Sequence, residues 1–251
     1  LEIDGGIARL RLNRPEKLNA LDAGMVDELS DRCREIERSA ARVVILSGEG
    51  KAFCAGGDIE AWSGVSPEEF RRRWLRDGHA AFDALARLRQ PVIAVLDGHA
   101  FGGGLELAAC ADLRIAEKHV KIGQPETGLG IIPGWSGTQR AVRRFGAQVV
   151  RRMAVMGEVF SAEEALSLGI VDHVVEKGGA MVAAEAAAQR VLGLSPRATE
   201  LAKMMVNAAE GEERERVIEA LAGALAAGSD DLTEGLAAFR EKRPPDFGQD
   251  E

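Results

Sequence analysis

Apolar and charged residues alternate near the start of the chain, where Ala8, Leu10 and Leu12 are interleaved with Arg9 and Arg11. That period of two predicts a half-buried strand, and Asn13-Arg14-Pro15 stops it. The period then lengthens. Met25, Leu29, Cys33 and Ile36 recur at helical spacing, with Asp22 placed to cap the helix they predict. Val43-Val44-Ile45-Leu46 and Val92-Ile93-Ala94-Val95-Leu96 are apolar without interruption, as expected of strands buried on both faces of a parallel sheet. Glycines follow each of them: Gly48 to Gly57 after the first, Gly98 and Gly102-Gly103-Gly104 after the second. A helical pattern comes next in both cases, which suggests a repeated unit.

Ser66, Pro67 and Glu69 predict another helix start, and Pro91 ends the helix that precedes the second apolar strand. Asp112 to Ala116 and Val120 to Ile122 are further strand candidates before a third glycine-rich loop, Gly123 to Gly137. Beyond Gly178 the pattern becomes alanine-rich and helical up to Lys242, where Pro244-Pro245 closes it. The chain therefore predicts an α/β fold, with a mixed core over residues 1–195 and a helical region over 196–251.

Composition narrows the function classes. At 46% hydrophobic residues the 251-residue chain has ample material for a core, so disorder is excluded. A net charge of −8 argues against nucleic acid as a partner. No run approaches the ~18 apolar residues of a membrane span, so no membrane association is expected. Cys33, Cys54 and Cys110 are far apart and lack histidines at ligand spacing, which disfavours disulfides and a metal site and suits a cytoplasmic location. Tyrosine is absent, which rules out a tyrosine acid.

Several familiar motifs fail. Gly50-Lys51-Ala52 lacks the hydroxyl residue of a phosphate loop, Pro133 stands where a dinucleotide fingerprint needs glycine, and Ser136 is not in a nucleophile elbow. None of the four histidines has a carboxylate or nucleophile placed beside it by any sequence pattern. What remains is a coincidence of glycine loops and carboxylates. Phe53-Cys54-Ala55-Gly56-Gly57-Asp58 and Gly102-Gly103-Gly104 can each present backbone amides, the second at a helix N-terminus, and two converging amides form an oxyanion hole. Glu106, two residues beyond those glycines, sits among Leu105, Leu107 and Ala108, where a carboxylate needs a partner or a task. Burial there raises its pKa toward the range useful for proton transfer. Glu126 lies on a loop held by Pro125 and flanked by glycines. Either glutamate alone is equally an ion-pair member or a surface residue.

Five segments carry a resemblance to a known family: LNRPEKLNAL at 12–21, KAFCAGGDI at 51–59, GHAFGGGLELAACADLRIA at 98–116, GQPETGLGIIPGWSGTQR at 123–140 and EGLAAFREKRPPDF at 234–247. Together they resemble an enoyl-CoA hydratase of the crotonase superfamily. The resemblance implies a core of repeated ββα turns and a C-terminal helical region that assembles a homo-oligomer, a trimer or a dimer of trimers. It implies an acyl-CoA substrate, coenzyme A being part of that substrate, with no further cofactor and no metal. Carried over residue by residue, Gly57 and Gly103 match the two oxyanion amides, and Glu106 and Glu126 the two glutamates that hold the attacking water. Gly134 matches a glycine near that water. Lys51 matches a position close to the CoA phosphates, Ala55, Asp58 and Ile59 fall on the adenine-binding loop, and Lys242 resembles a residue that reaches a neighbouring subunit's CoA.

Isomerases of this superfamily keep the equivalent of Glu126 alone, so the pair favours hydration of a trans-2-enoyl-CoA to a 3-hydroxyacyl-CoA. Isomerisation, or hydration of an unusual acyl group, is the alternative, and an RNA-binding relative a remote one that the acidic charge opposes. The chain departs from well-known hydratases at Glu60, where they often carry lysine. The run Arg71-Arg72-Arg73 is a candidate replacement for that charge, or else a solvated helix face. Trp62 and Trp135, bulky residues beside the two loops, either narrow the acyl pocket or pack.

Overall fold

The computed structural model describes residues 1–248, without the side chains of Trp62, Glu215 and Arg216. Ten strands are present among them: β1 (Glu2–Asp4), β2 (Ile7–Leu12), β3 (Val43–Gly48), β4 (Ala52–Cys54), β5 (Val92–Leu96), β6 (His99–Phe101), β7 (Leu113–Glu117), β8 (Lys121–Gly123), β9 (Val159–Ser161) and β10 (His173–Val175). They form a six-stranded sheet in the order β1-β2-β3-β5-β7-β10 and a four-stranded sheet in the order β4-β6-β8-β9. The repeat is a consequence of how these orders interlock. β3, β5 and β7 each enter the large sheet, and β4, β6 and β8, which follow them after a short turn, enter the small one. Pairing within each run is parallel, Val44 facing Val92 and Ile93 facing Leu113 in the large sheet, Cys54 facing Ala100 and Ala100 facing Ile122 in the small.

The unbroken apolar runs are explained by burial on both faces. Val44, Leu46, Ala94, Leu96 and Ala116 point into a core shared with Phe82 and Leu85 and with the small sheet's Phe53, Ala100 and Ile122. Their neighbours Val43, Ile45, Ile93, Val95 and Ile115 point the other way, onto Ala180, Ala184, Ala187 and Ala188 of the helix Ala180–Leu192. The alanine richness of that stretch has its reason here: small side chains let the helix lie close on the sheet.

The helix Ala23–Arg38 is capped by Asp22, whose side chain accepts from the Met25 N–H, and it buries Val26, Leu29, Cys33 and Ile36. Met25 is a correction to the sequence expectation. It is only half-buried, and Val26 takes the first position of the buried face. Ser66 caps the next helical segment through the Glu69 N–H at 3.2 Å. A π-helical turn over Phe70–Leu75 follows, a wider turn than an α-helix makes. Arg71 and Arg72 pair with Glu68 and Arg73 with Glu69 along this exposed face, the solvated alternative for that basic run.

By internal contacts the chain divides into two compact units, Leu1–Lys203 and Met204–Glu251. The second is helical, with Arg214–Ala227 and Asp230–Glu241 following the end of Pro196–Ala209. It exposes Leu225, Phe239 and Met205. Among the described residues no helix is long and apolar enough to cross a membrane.

Asn19 is a structural centre that the pattern gave no reason to single out. It is fully buried, has φ +55°, and donates through Nδ2 to the carbonyls of Glu49 and Ala52 at 2.9 and 2.8 Å. Its Oδ1 accepts from the Arg14 N–H at 2.9 Å. Replacement by alanine leaves these groups unpaired and puts a Cβ residue without a compensating side chain in the left-handed region. Asn19→Ala is expected to lower unfolding free energy by about 3 kcal/mol, read from urea denaturation. A change below ~1 kcal/mol would show that water replaces those bonds at no cost.

Candidate active site

The small sheet places the site. β4, β6 and β8 run parallel and side by side, so their C-terminal ends deliver three loops to one edge. The first loop carries Ala55 to Asp58, the second Gly102 and Gly103, the third Gln124 to Glu126. Ala55, Gly57, Ile59, Gly103, Glu106, Glu126 and Gly134 line one cleft. The resemblance to the crotonase superfamily marks all seven.

The two amides are brought together as required. Gly57 pairs with Leu21 through its neighbours, Leu21 N–H donating to Gly56 O and Asp58 N–H to Leu21 O, both at 2.8 Å, which leaves the Gly57 N–H outside the bridge. Gly103 opens the helix Gly103–Ala108, where first-turn amides have no partner within the helix. A Cβ built on Gly103 would lie 3.4 Å from the Gly57 nitrogen, so the two loops touch at these amides. Gly56 must be glycine for this approach, because it has φ +108° and its Cβ would meet Phe101 O at 3.1 Å.

Glu106, on the same short helix, is 3% exposed. Its Oε1 accepts two backbone hydrogen bonds, from Trp135 N–H at 2.7 Å and Gly137 N–H at 2.6 Å. Burial, and after it the charge of Glu126, push its carboxyl up to about 7, against the pull of those two amides and of Arg140. Glu126 starts the turn Glu126–Leu129 and lies against Gly102, whose missing Cβ would come within 2.9 Å of Glu126 Oε1. Neither of its carboxyl oxygens has a hydrogen-bond partner among the described residues, and burial raises its pKa. Two carboxyls of like charge therefore share one cleft in unlike settings. Two amides favour the ionised form of Glu106, whereas burial outweighs the pull of Glu126's own backbone N–H and disfavours an ionised Glu126.

The walls come from residues that sequence reasoning passed over. Phe70, Trp74 and Leu75 reach the cleft from the π-helical turn, a stretch whose arginines drew attention away from its apolar positions. Leu129, Ile131 and Ile132 line it as well. Trp135 both packs and lines the cleft. It is 2% exposed, its indole N–H donates to Trp74 O at 2.9 Å, and its ring lies 4.8 Å from Trp74 and 5.1 Å from Phe82. The Trp62 side chain lies outside the described residues.

Other expected positions stand apart from the cleft lining. Lys51 is exposed on the turn between β3 and β4. The Asp58 carboxylate faces Arg14 at 2.6 Å and caps Ile59–Trp62 through the Glu60 N–H, and the Arg14 guanidinium holds it below the usual carboxylate range. Its side chain thus fixes the loop. Glu60 pairs with Lys17 at 2.6 Å on the surface. Lys242 caps the helix Asp230–Glu241 in the left-handed conformation and belongs to the second compact unit. Among the described residues no group of three or more His, Cys, Asp or Glu side chains is placed to hold a metal ion.

Comparison with known proteins agrees with this geometry. The family model described as enoyl-CoA hydratase/isomerase matches residues 2–250. The chain is 36% identical over 251 residues to a protein named crotonyl-CoA hydratase from Syntrophomonas wolfei, covering 98% of this chain and 96% of that one. It is 36% identical over 247 residues to a short-chain-enoyl-CoA hydratase of Clostridium acetobutylicum, covering 97% and 94%. A crystal structure of an enoyl-CoA hydratase from Bacillus anthracis superposes with a TM-score of 0.79 at 33% identity, over 98% of this chain and 96% of that one. With the interlocked ββα repeats, the paired loop amides and the two buried glutamates in place, the chain belongs to the enoyl-CoA hydratase/isomerase family.

Proposed function

We propose that this protein is an enoyl-CoA hydratase, a lyase that reversibly adds water to a trans-2-enoyl-CoA to give the 3-hydroxyacyl-CoA. The observation that carries the reading is the unlike pair, beside the loops of Gly57 and Gly103: Glu106 Oε1 accepts from two backbone amides, and the carboxyl oxygens of buried Glu126 have no hydrogen-bond partner among the described residues.

The chemistry follows from those settings. The thioester oxygen accepts from the Gly57 and Gly103 N–H groups, which stabilise it as enolate charge develops. Glu106, ionised, takes a proton from water as the water oxygen bonds to Cβ. Glu126, protonated, gives its proton to Cα. The substrate gains one water in all, and proton exchange between the glutamates and solvent restores the starting state. In this reading Ala55 and Ile59, which line the cleft, contact the CoA moiety, and the exposed Lys51 meets one of its phosphates. The exposed apolar helices of the second unit, with Phe239 at 83% and Leu225 at 79% exposure, support assembly as a homo-oligomer, a trimer or dimer of trimers, with Lys242 beside a neighbour's CoA. Three buried cysteines, none in a disulfide, support a reducing compartment such as the cytoplasm. The reaction as written needs no further cofactor.

The direct test is loss of the conjugated-enone absorbance of crotonyl-CoA on mixing with the purified protein, with a 3-enoyl-CoA as the comparison substrate. The pH profile gives a second. Water activation requires ionised Glu106, so kcat/KM is expected to fall with the ionised fraction as pH drops below about 7. Proton delivery requires protonated Glu126, so activity also falls at high pH, on a limb displaced above the ordinary carboxylate range because burial raises that group. The two limbs belong to the pair. A profile flat through pH 7 would contradict the assignment.

A further inference from the structure

Next to the two amides that hold Glu106 lies a hydrogen bond that the proposed reaction does not use. Ser136 Oγ is 3.1 Å from His79 Nδ1, with the direction of the bond following the imidazole tautomer. Ser136 is 8% exposed and has φ +77°, one of four non-glycine residues in the left-handed region among those described. Serine reaches that conformation at a cost, so something must hold it there. Its position explains why the cost is met. Ser136 stands between Trp135 and Gly137, and a residue in the left-handed region between two amides turns both N–H groups toward one point, a concavity suited to an anion. The point is Glu106 Oε1, 2.7 and 2.6 Å from those nitrogens. The turn has little room to relax, since a Cβ on Gly137 would meet Glu106 Oε1 at 2.6 Å and Gln124 Nε2 holds Gly137 O at 2.8 Å. His79 comes from the helix Arg76–Ala86, which is fixed in the core by Phe82 and Leu85. Neither Ser136 nor His79 is among the residues that line the cleft.

We propose that the Ser136–His79 hydrogen bond is a positioning clamp for Glu106: it holds Ser136 in the left-handed conformation that aims the Trp135 and Gly137 amides at the Glu106 carboxylate. The consequence for catalysis rests on the reading of Glu106 as the base in hydration; the geometric claim does not. The charged groups facing Glu106 are Glu126 from the Glu126–Leu129 turn and Arg140 from the helix Gln139–Phe145, and the substitutions below leave both in place.

The test compares Ser136→Ala, Ser136→Gly and His79→Gln with the parent protein. Two readouts are used: crotonyl-CoA kinetics as a function of pH, and titration of the Glu106 carboxyl followed by infrared difference spectroscopy. Ser136→Ala is expected to lower kcat about tenfold with KM changed less than about threefold, and to move the Glu106 titration and the acid limb of kcat/KM upward in pH. Ser136→Gly recovers much of kcat, because glycine adopts a positive φ without a tether. His79→Gln, which can still bond to the serine hydroxyl, stays closer to the parent than Ser136→Ala. A folded Ser136→Ala protein with an unmoved Glu106 titration would overturn the clamp. If Ser136→Ala fails to fold, the Glu106 titration in His79→Ala, which removes the tether from its other end, decides: an upward shift supports the clamp and none overturns it. Absence of crotonyl-CoA turnover in the parent, with the carboxyl titration shifting as expected in the variants, would overturn the hydratase reading and leave the clamp standing.

Discussion

Replacing Glu106 by glutamine is expected to reduce kcat for crotonyl-CoA hydration by about 1,000-fold or more, with KM little changed. Glutamine keeps the volume of the side chain and an oxygen to accept from the Trp135 and Gly137 amides, so the turn that holds it has no reason to move. What it loses is basicity. Glu126→Gln is expected to cost a similar factor for the opposite reason, since the amide cannot deliver a proton to Cα, and both variants should melt no lower than the parent because each removes a buried ionisable group. Steady-state rates beside thermal melts check this. A Glu106→Gln protein that kept a tenth of the parental rate would mean that water is activated elsewhere, and a variant inactive toward hydration but able to shift a double bond would identify Glu126 as sufficient for isomerisation.

Gly103→Ala carries the second large effect. The added carbon would sit 2.9 Å from Trp135 Cζ3 and 3.4 Å from the Gly57 nitrogen. Trp135 cannot yield, held as it is by its indole bond to Trp74 O and packed on Phe82. The start of the helix must move instead, and the Gly103 N–H moves with it. Loss of one oxyanion donor corresponds to about 3 kcal/mol, so kcat/KM should fall roughly 100- to 1,000-fold. Affinity for free CoA, which has no thioester carbonyl, should stay within about threefold by calorimetry, and a loss of CoA binding equal to the loss of rate would show a general distortion of the loop rather than a damaged oxyanion hole.

The sequence made much of this legible where a single physical rule acted. β3 and β5 could be read because strands buried on both faces need an unbroken run of apolar residues, and Glu106 stood out because a carboxylate among leucines is expensive. β4, β6 and β9 could not be read, since three residues are too few to show any period. Their absence hid the small sheet that brings the loops together. Glu126 could be suspected from its rigid loop, but its lack of a donor, the feature that separates it from Glu106, arises only from three-dimensional placement. Asn19, Trp74 and the Ser136–His79 pair were missed for the same reason: each acts through a partner more than 30 positions away along the chain. Asp58 is instructive in the other direction. It sits on the loop the resemblance marks for substrate, yet its carboxylate is engaged by Arg14, and what it contributes is the shape of that loop.

The measurement that bears most directly on the account is conversion of crotonyl-CoA by the purified protein in deuterium oxide, with the product characterised by proton NMR and mass spectrometry. Glu106 drawing a proton from water and Glu126 delivering one to Cα predict 3-hydroxybutyryl-CoA carrying a single deuterium at C2, on the same face as the new hydroxyl. A folded, CoA-binding protein that left crotonyl-CoA unchanged, or that gave deuterium at C2 without a hydroxyl at C3, would contradict it.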